Sequence, residues 1–209
     1  MAEAILFDLD GTLWDSSDYI CDIWNKVFSR HDDINYVMTK DELLQLMGKT
    51  MDETHKIVLP DYSKEAWDGI VAEFVFEEVT YLSKHGAILY EGLEDTLKKL
   101  HKDYKLYIIS NCQDGYVPAF MTAHKLESYF DDYEVNGRTG LNKGDNIKLV
   151  MQRNNIKNAV YVGDTDSDEK ASRAAGIPFI HAAYGFGQAI RPDAVINKLT
   201  ELPECLKKF

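Results

Sequence analysis

Ten residues near the N-terminus, Ala4-Ile5-Leu6-Phe7-Asp8-Leu9-Asp10-Gly11-Thr12-Leu13, constrain the fold more than any other stretch. Ile5, Leu6 and Phe7 form an apolar run without alternation, the pattern of a strand buried on both faces in a parallel sheet. The run stops in two carboxylates one residue apart, followed by Gly11 and Thr12. Residues two apart on a strand point the same way, so Asp8 and Asp10 could share a face; a turn at Gly11 would instead give each its own direction. Asp, Gly and Thr are also ordinary turn residues. Two acids this close nevertheless resist joint ionisation unless a cation or donors hold them, and a solvated turn does not require both.

Behind this stretch the pattern turns helical. Ile20, Ile23, Trp24, Val27 and Phe28 recur at helical spacing over about 16–30. Thr39 with Glu42 three residues on is a capping-box signature, and Gly48 ends the helix it starts. A short helix over about 51–59 is broken by Pro60, and a long one covers about 63–84. No convincing strand lies between Asp15 and Gly86. From Tyr90 onward strands and helices alternate, with strands predicted at 106–109, near 133–135, and at 159–162, 177–180 and 194–196. Such alternation predicts an α/β fold, a doubly wound parallel sheet with right-handed crossovers. It is interrupted after its first strand by an inserted α-helical cap: residues 1–14 and 87–209 form the core and 15–86 the cap. Pro178 predicts that its strand lies at an edge or only begins there.

A chain of 209 residues with 45% hydrophobic residues can bury one sizeable core. Its net charge of −12 argues against nucleic acid or an anionic membrane as partner. Three cysteines far apart make no metal or disulfide framework, which suits a reducing cytoplasm. The first strand follows Met1 too closely for a signal peptide, and charges interrupt every long apolar segment, so the expected address is the cytoplasm.

In an open parallel sheet, ligands bind beyond the carboxyl ends of the strands. Three predicted strands end in polar groups: Asp8 and Asp10; Ser110 and Asn111; and Gly163-Asp164, with Asp166 and Asp168 close behind. If these ends are neighbours, the carboxylates repel one another without a divalent cation, and hard oxygen ligands favour Mg²⁺. A fixed positive charge is available in Lys143, just ahead of a predicted helix. The run Asp164-Thr165-Asp166-Ser167-Asp168 is not an EF-hand loop, because Glu169 and Ala175 stand where that loop needs glycine and a bidentate acid.

Taken together, Asp8-Leu9-Asp10-Gly11-Thr12, Ser110-Asn111, Lys143 and Gly163-Asp164 with Asp168 resemble the four motifs of the haloacid dehalogenase-like hydrolases, in order and over nearly the whole chain. The helical insert, with Thr12-Leu13-Trp14-Asp15-Ser16 leading into it, resembles the cap of the subfamily of phosphoglycolate phosphatases and β-phosphoglucomutases. The resemblance implies that Asp8 is the nucleophile and becomes an aspartyl phosphate, and that Asp10 acts as acid and then base. It implies that Ser110 and Lys143 hold the phosphoryl oxygens, with Thr12 and Asn111 also on the substrate side. Mg²⁺ would be held by Asp8, the carbonyl of Asp10, and Asp164, while Asp168 orients the shell around the metal. Two positions depart from the usual pattern: Gly144 rather than proline follows Lys143, and Glu91 replaces a common proline.

The reading is a Mg²⁺-dependent phosphatase for a small phosphorylated metabolite, phosphoglycolate-like or a sugar phosphate. The alternatives are a β-phosphoglucomutase-like phosphomutase and a non-catalytic metal- or phosphate-binding regulator. Monomer and dimer are equally compatible with the sequence. In the cap, Lys49 after Gly48 is either a substrate contact for an anionic group or a solvated lysine after a helix-ending glycine. Gln113 either faces the crevice or starts a helix, and Tyr184-Gly185-Phe186-Gly187 is a turn or a loop beside the site. The six histidines form no metal-ligand spacing.

Overall fold

The computed structural model describes residues 2–209. A central strand, β1 (Ala4–Phe7), is followed by the two-residue β2 (Trp14–Asp15). Four helices come next: α1 (Ser17–Phe28), α2 (Lys40–Leu46), α3 (Met51–Val58) and α4 (Lys64–His85). The chain returns through β3 (Ile88–Leu89), which pairs antiparallel with β2 and so ties the two ends of the helical stretch together. That ladder brackets the helical stretch and lies at its two connections to the core, and between them only helices occur among the regular elements. Then follow α5 (Leu93–Leu100), β4 (Lys105–Ser110), α6 (Tyr116–His124), β5 (Asp132–Val135), α7 (Asn136–Thr139), α8 (Lys143–Arg153) and β6 (Ala159–Gly163). The chain closes with α9 (Asp166–Ala175), β7 (Phe179–Ala182), β8 (Ala194–Ile196) and α10 (Leu202–Cys205).

The large sheet is parallel throughout, in the order β5-β4-β1-β6-β7-β8. This is the doubly wound α/β architecture. Alternation along β1 divides the core: Ile5 and Phe7 face one apolar cluster, Ala4 and Leu6 the other. The first cluster runs on without a break into the helices, through Trp24, Phe28 and Phe74. Trp14 joins the two parts, packing edge-on against Tyr116 and Phe120 at ring separations of 5.6 and 5.0 Å. β7 starts one residue after Pro178 and is flanked on both sides, so the proline marks a beginning and not an edge.

Two of the four helix starts in the insert are anchored by capping boxes. Thr39 and Glu42 form a full capping box on α2, and Thr50 with Glu53 forms another on α3. Among the described residues, no helix is long and apolar enough to cross a membrane.

Candidate active site

Strand order reverses at β1, with β4 and β5 on one side and β6 to β8 on the other. The carboxyl ends of β1, β4 and β6 therefore meet at the topological switch point, where a crevice opens. Asp8 leaves β1 with its N–H donating to the Val162 carbonyl at 2.8 Å, which keeps it in register with β6. Gly11 then turns the chain at φ +80°, and a Cβ there would lie 2.3 Å from Asp164 Oδ2. Gly185 is as constrained: its Cβ would sit 2.3 Å from the Cβ of Asp164. The turn after β1 and the loop after β7 can thus both press against Asp164 only as glycine.

Asp8, Asp164 and Asp168 each offer a carboxylate oxygen within 4.8 Å of the others, and all three are buried. Lys143, buried at the start of α8, reaches Asp8 Oδ1 at 2.9 Å and Asp168 Oδ1 at 2.6 Å. Asp168 is otherwise saturated, since its Oδ2 accepts from the Thr165 N–H at 3.0 Å and the Thr165 hydroxyl at 2.7 Å. Asp164 is not. Its Oδ2 accepts from the Phe186 N–H at 2.7 Å, but its Oδ1 is buried and no donor among the described residues reaches it.

Three carboxylates face one ammonium, so full ionisation would leave two negative charges uncompensated. The titration behaviour follows. Burial, and then repulsion from Asp168, push the Asp8 carboxyl well above its ordinary range despite Lys143. The same two causes raise Asp164. Burial opposes the charge on Lys143, but Asp168 and Asp8 outweigh it and hold the ammonium protonated. A divalent cation fits this cluster: hard oxygen donors, an unpartnered buried oxygen on Asp164, and a charge deficit of matching size.

Asp10 sits apart from that cluster. Its Oδ1 accepts from the Ser16 hydroxyl at 2.7 Å, the Trp14 indole at 2.9 Å and the Tyr116 hydroxyl at 3.1 Å. Burial pushes its carboxyl up to about 6, against the pull of those donors. Of the two directions open to the Asp8–Asp10 pair, the structure adopts separate ones: Asp8 turns to Lys143, Asp10 to Ser16 and Tyr116. Tyr116 lies 106 residues away, and no sequence pattern flags it.

Asp8 and Asp10 line a narrow cavity of about 70 Å³, with Ser110, Asn111, Gln113 and Lys49 also on its walls. The Asn111 amide donates to the Gly48 carbonyl at 2.8 Å, bridging the end of β4 to the end of α2. Lys49 is exposed at the rim. Thr12, expected on the substrate side, is fully buried and does not line this cavity; its carbonyl accepts from the Tyr184 hydroxyl at 2.9 Å. Lys143 likewise stands beneath Asp8 and outside this cavity. The Tyr184–Gly187 loop packs directly on the site through Phe186 and Gly185.

With this geometry in place, comparison with known proteins decides the family. The sequence model described as haloacid dehalogenase-like hydrolase matches residues 5–182. The chain belongs to that family. Among haloacid dehalogenase-like relatives, a phosphoglycolate phosphatase of Pseudomonas fluorescens is 28% identical over 220 aligned positions, covering 97% of this chain and 79% of that one. A phosphoglycolate phosphatase of Aliivibrio fischeri is 27% identical, covering 95% and 93%. In structure, a protein of Bacteroides fragilis described as a haloacid dehalogenase-like hydrolase superposes with a TM-score of 0.85 at 25% identity, covering 97% of this chain and all of that one. The fold is that of the haloacid dehalogenase-like hydrolases.

Proposed function

We propose that this protein is a Mg²⁺-dependent phosphatase that hydrolyses the phosphate monoester of a small metabolite through an aspartyl phosphate on Asp8. The observation that carries the reading is the unlike setting of two acids two residues apart. Asp8 lies 2.9 Å from the Lys143 ammonium, while Asp10 is held by three donors on one oxygen and titrates near 6. The first setting suits a nucleophile, the second an acid–base group. Relatives named phosphoglycolate phosphatases support the monoester chemistry.

In the first step an Asp8 oxygen bonds to phosphorus, the bond from phosphorus to the substrate oxygen breaks, and Asp10 gives that oxygen its proton. In the second, water attacks phosphorus, Asp10 takes the proton back, and inorganic phosphate leaves with the Asp8 carboxylate restored. Ser110 and Lys143 hold the phosphoryl oxygens, and Lys143 offsets charge as it builds. Asp8, Asp164 and the Asp10 carbonyl would hold Mg²⁺, which would neutralise the carboxylates and the phosphoryl group. Asp168 orients Lys143, because both its oxygens are already engaged. Residues 15–86 serve as the cap over the core of 1–14 and 87–209, and the Asn111–Gly48 contact holds the two together while water is excluded. Lys49, exposed at the rim, gives the arriving phosphate dianion a positive charge to approach.

The test is release of phosphate from p-nitrophenyl phosphate and from a panel of phosphorylated metabolites, with and without Mg²⁺. Metal-dependent turnover is expected; no release from any monoester would refute the reading.

A further inference from the structure

The mechanism leaves one buried acid of the cavity unused. Glu78, on α4, is 4% exposed and lines the same cavity as Asp8 and Asp10. The Trp24 indole donates to its Oε1 at 2.5 Å, and Trp24 is itself fixed by stacking on Phe74 with ring centres 4.4 Å apart. Among the described residues no donor reaches Oε2, and no Lys, Arg or His pairs with the group. Glu77, next to it, is the opposite case: it turns outward and pairs with Lys26 and Arg30.

A buried acid with no counter-charge costs stability, and an apolar residue of similar size would pack there without that cost. Burial raises the Glu78 carboxyl to about 8, so near neutral pH it stands uncharged and can both donate and accept. The surrounding wall from the helices is apolar, formed by Ile20, Leu43, Leu46 and Met51, with the buried Thr54 as a further neutral polar group. The cation among the cavity's lining residues is Lys49, exposed at the rim; Lys143 is committed to Asp8 and Asp168. A carboxylate driven to this end would lose its water and gain no buried positive charge. A hydroxyl would lose little, because Glu78 can pair with it in either sense. At about 70 Å³ the space suits a leaving group of a few carbons.

Building on the phosphatase reading, we propose that Glu78, held by Trp24, is a specificity-determining residue that receives a free hydroxyl of a small polyol- or sugar-type monophosphate, so that such substrates are preferred over monophosphates ending in a carboxylate. The structure thereby divides the two substrate types that the motifs leave open.

The experiment compares kcat/KM for glycerol 1-phosphate, ribose 5-phosphate, 2-phosphoglycolate and p-nitrophenyl phosphate in the wild type, Glu78→Gln and Glu78→Leu. In the wild type at least one hydroxylated substrate should exceed phosphoglycolate by about tenfold or more, the scale of one well-made hydrogen bond against a stranded charge. Glu78→Gln, neutral and still able to accept from Trp24 and donate to the cavity, should keep that preference within about threefold. Glu78→Leu should lose about tenfold more on the hydroxylated substrate than on p-nitrophenyl phosphate. A wild type that prefers phosphoglycolate overturns the proposal without any variant having to fold. Equal losses on all substrates in Glu78→Leu would also overturn it, by making Glu78 structural. The aryl phosphate keeps the two levels apart: if it is not hydrolysed either, the phosphatase reading itself has failed.

Discussion

Buried acids are treated in opposite ways at the end of the sheet and on the helical wall of the cavity. At the end of the sheet, three carboxylates crowd around one lysine and the cluster is short of positive charge. On the helical wall a single glutamate stands with one indole donor and, among the described residues, no charged partner. The first arrangement can be ionised only by bringing in a cation; the second is cheapest when it never ionises. On the proposed reading, the contrast separates the work of the site: charge handling for the phosphoryl group on the sheet side, neutral hydrogen bonding for the remainder of the substrate on the helical side.

The largest expected effect breaks the sheet side alone. Asp8→Asn should lower kcat by roughly 10⁴-fold or more, since an amide is a poor nucleophile and groups of one catalytic unit fail together. Its melting temperature should not fall, because the change removes one member of a repelling cluster. Near-normal turnover in a folded Asp8→Asn protein would end the aspartyl-phosphate mechanism.

Metal removal comes next. Dialysis against EDTA should abolish turnover and Mg²⁺ restore it, while excess Ca²⁺ inhibits through its looser coordination. Mg²⁺ should also raise the melting temperature, since it binds the folded cluster and not the unfolded chain. A chelated sample that stays fully active would contradict the reading of the charge deficit.

The pH dependence of stability sharpens the contrast further. Glu78 at about 8 and Asp10 at about 6 both lie above the ordinary carboxylate range, so the folded chain holds protons that the unfolded chain has released. Stability of the metal-free protein should therefore be full below about pH 4 as far as these groups go, and fall as pH rises towards 8, by at most about 1.4 kcal/mol per pH unit for each group. Mg²⁺ should flatten the contribution of the sheet side, and Glu78→Gln that of the helical side. Denaturant unfolding at pH 5, 6, 7 and 8 checks this; an unchanged slope in Glu78→Gln would remove the neutral-acid description.

Lys49→Ala should be the mildest, raising KM about two- to fivefold with kcat unchanged, the scale of one exposed charge. Steady-state kinetics at two salt concentrations would show the difference shrinking at the higher one.

Much of the sheet side is legible in the sequence because its signals are local. Strands buried on both faces read as apolar runs, and an acid or Ser-Asn at the end of each run falls at the switch point. Gly144 after Lys143 has a packing reason visible only in three dimensions: a Cβ there would lie 3.1 Å from Ala174, so glycine lets α8 rest close on α9. The helical side is hard to read for the same kind of reason. Glu77 and Glu78 are neighbours in one helix, and nothing local says that one meets Lys26 and Arg30 while the other meets Trp24. Tyr116 and Ser16 reach Asp10 through the packing of α6 and the turn before α1, contacts without a sequence period. Thr12 sits in the motif, and its place in the turn buries it, which the local sequence does not announce.

The central claim is that Asp8 accepts the phosphoryl group. The direct measurement is acid quenching of the Mg²⁺-loaded enzyme during turnover of a radiolabelled monophosphate, followed by borohydride reduction and peptide sequencing by mass spectrometry. The account predicts label on the protein that hydroxylamine releases, homoserine at position 8 after reduction, and neither in Asp8→Asn. Unlabelled protein caught in full turnover, or the modification found at any other residue, would contradict it.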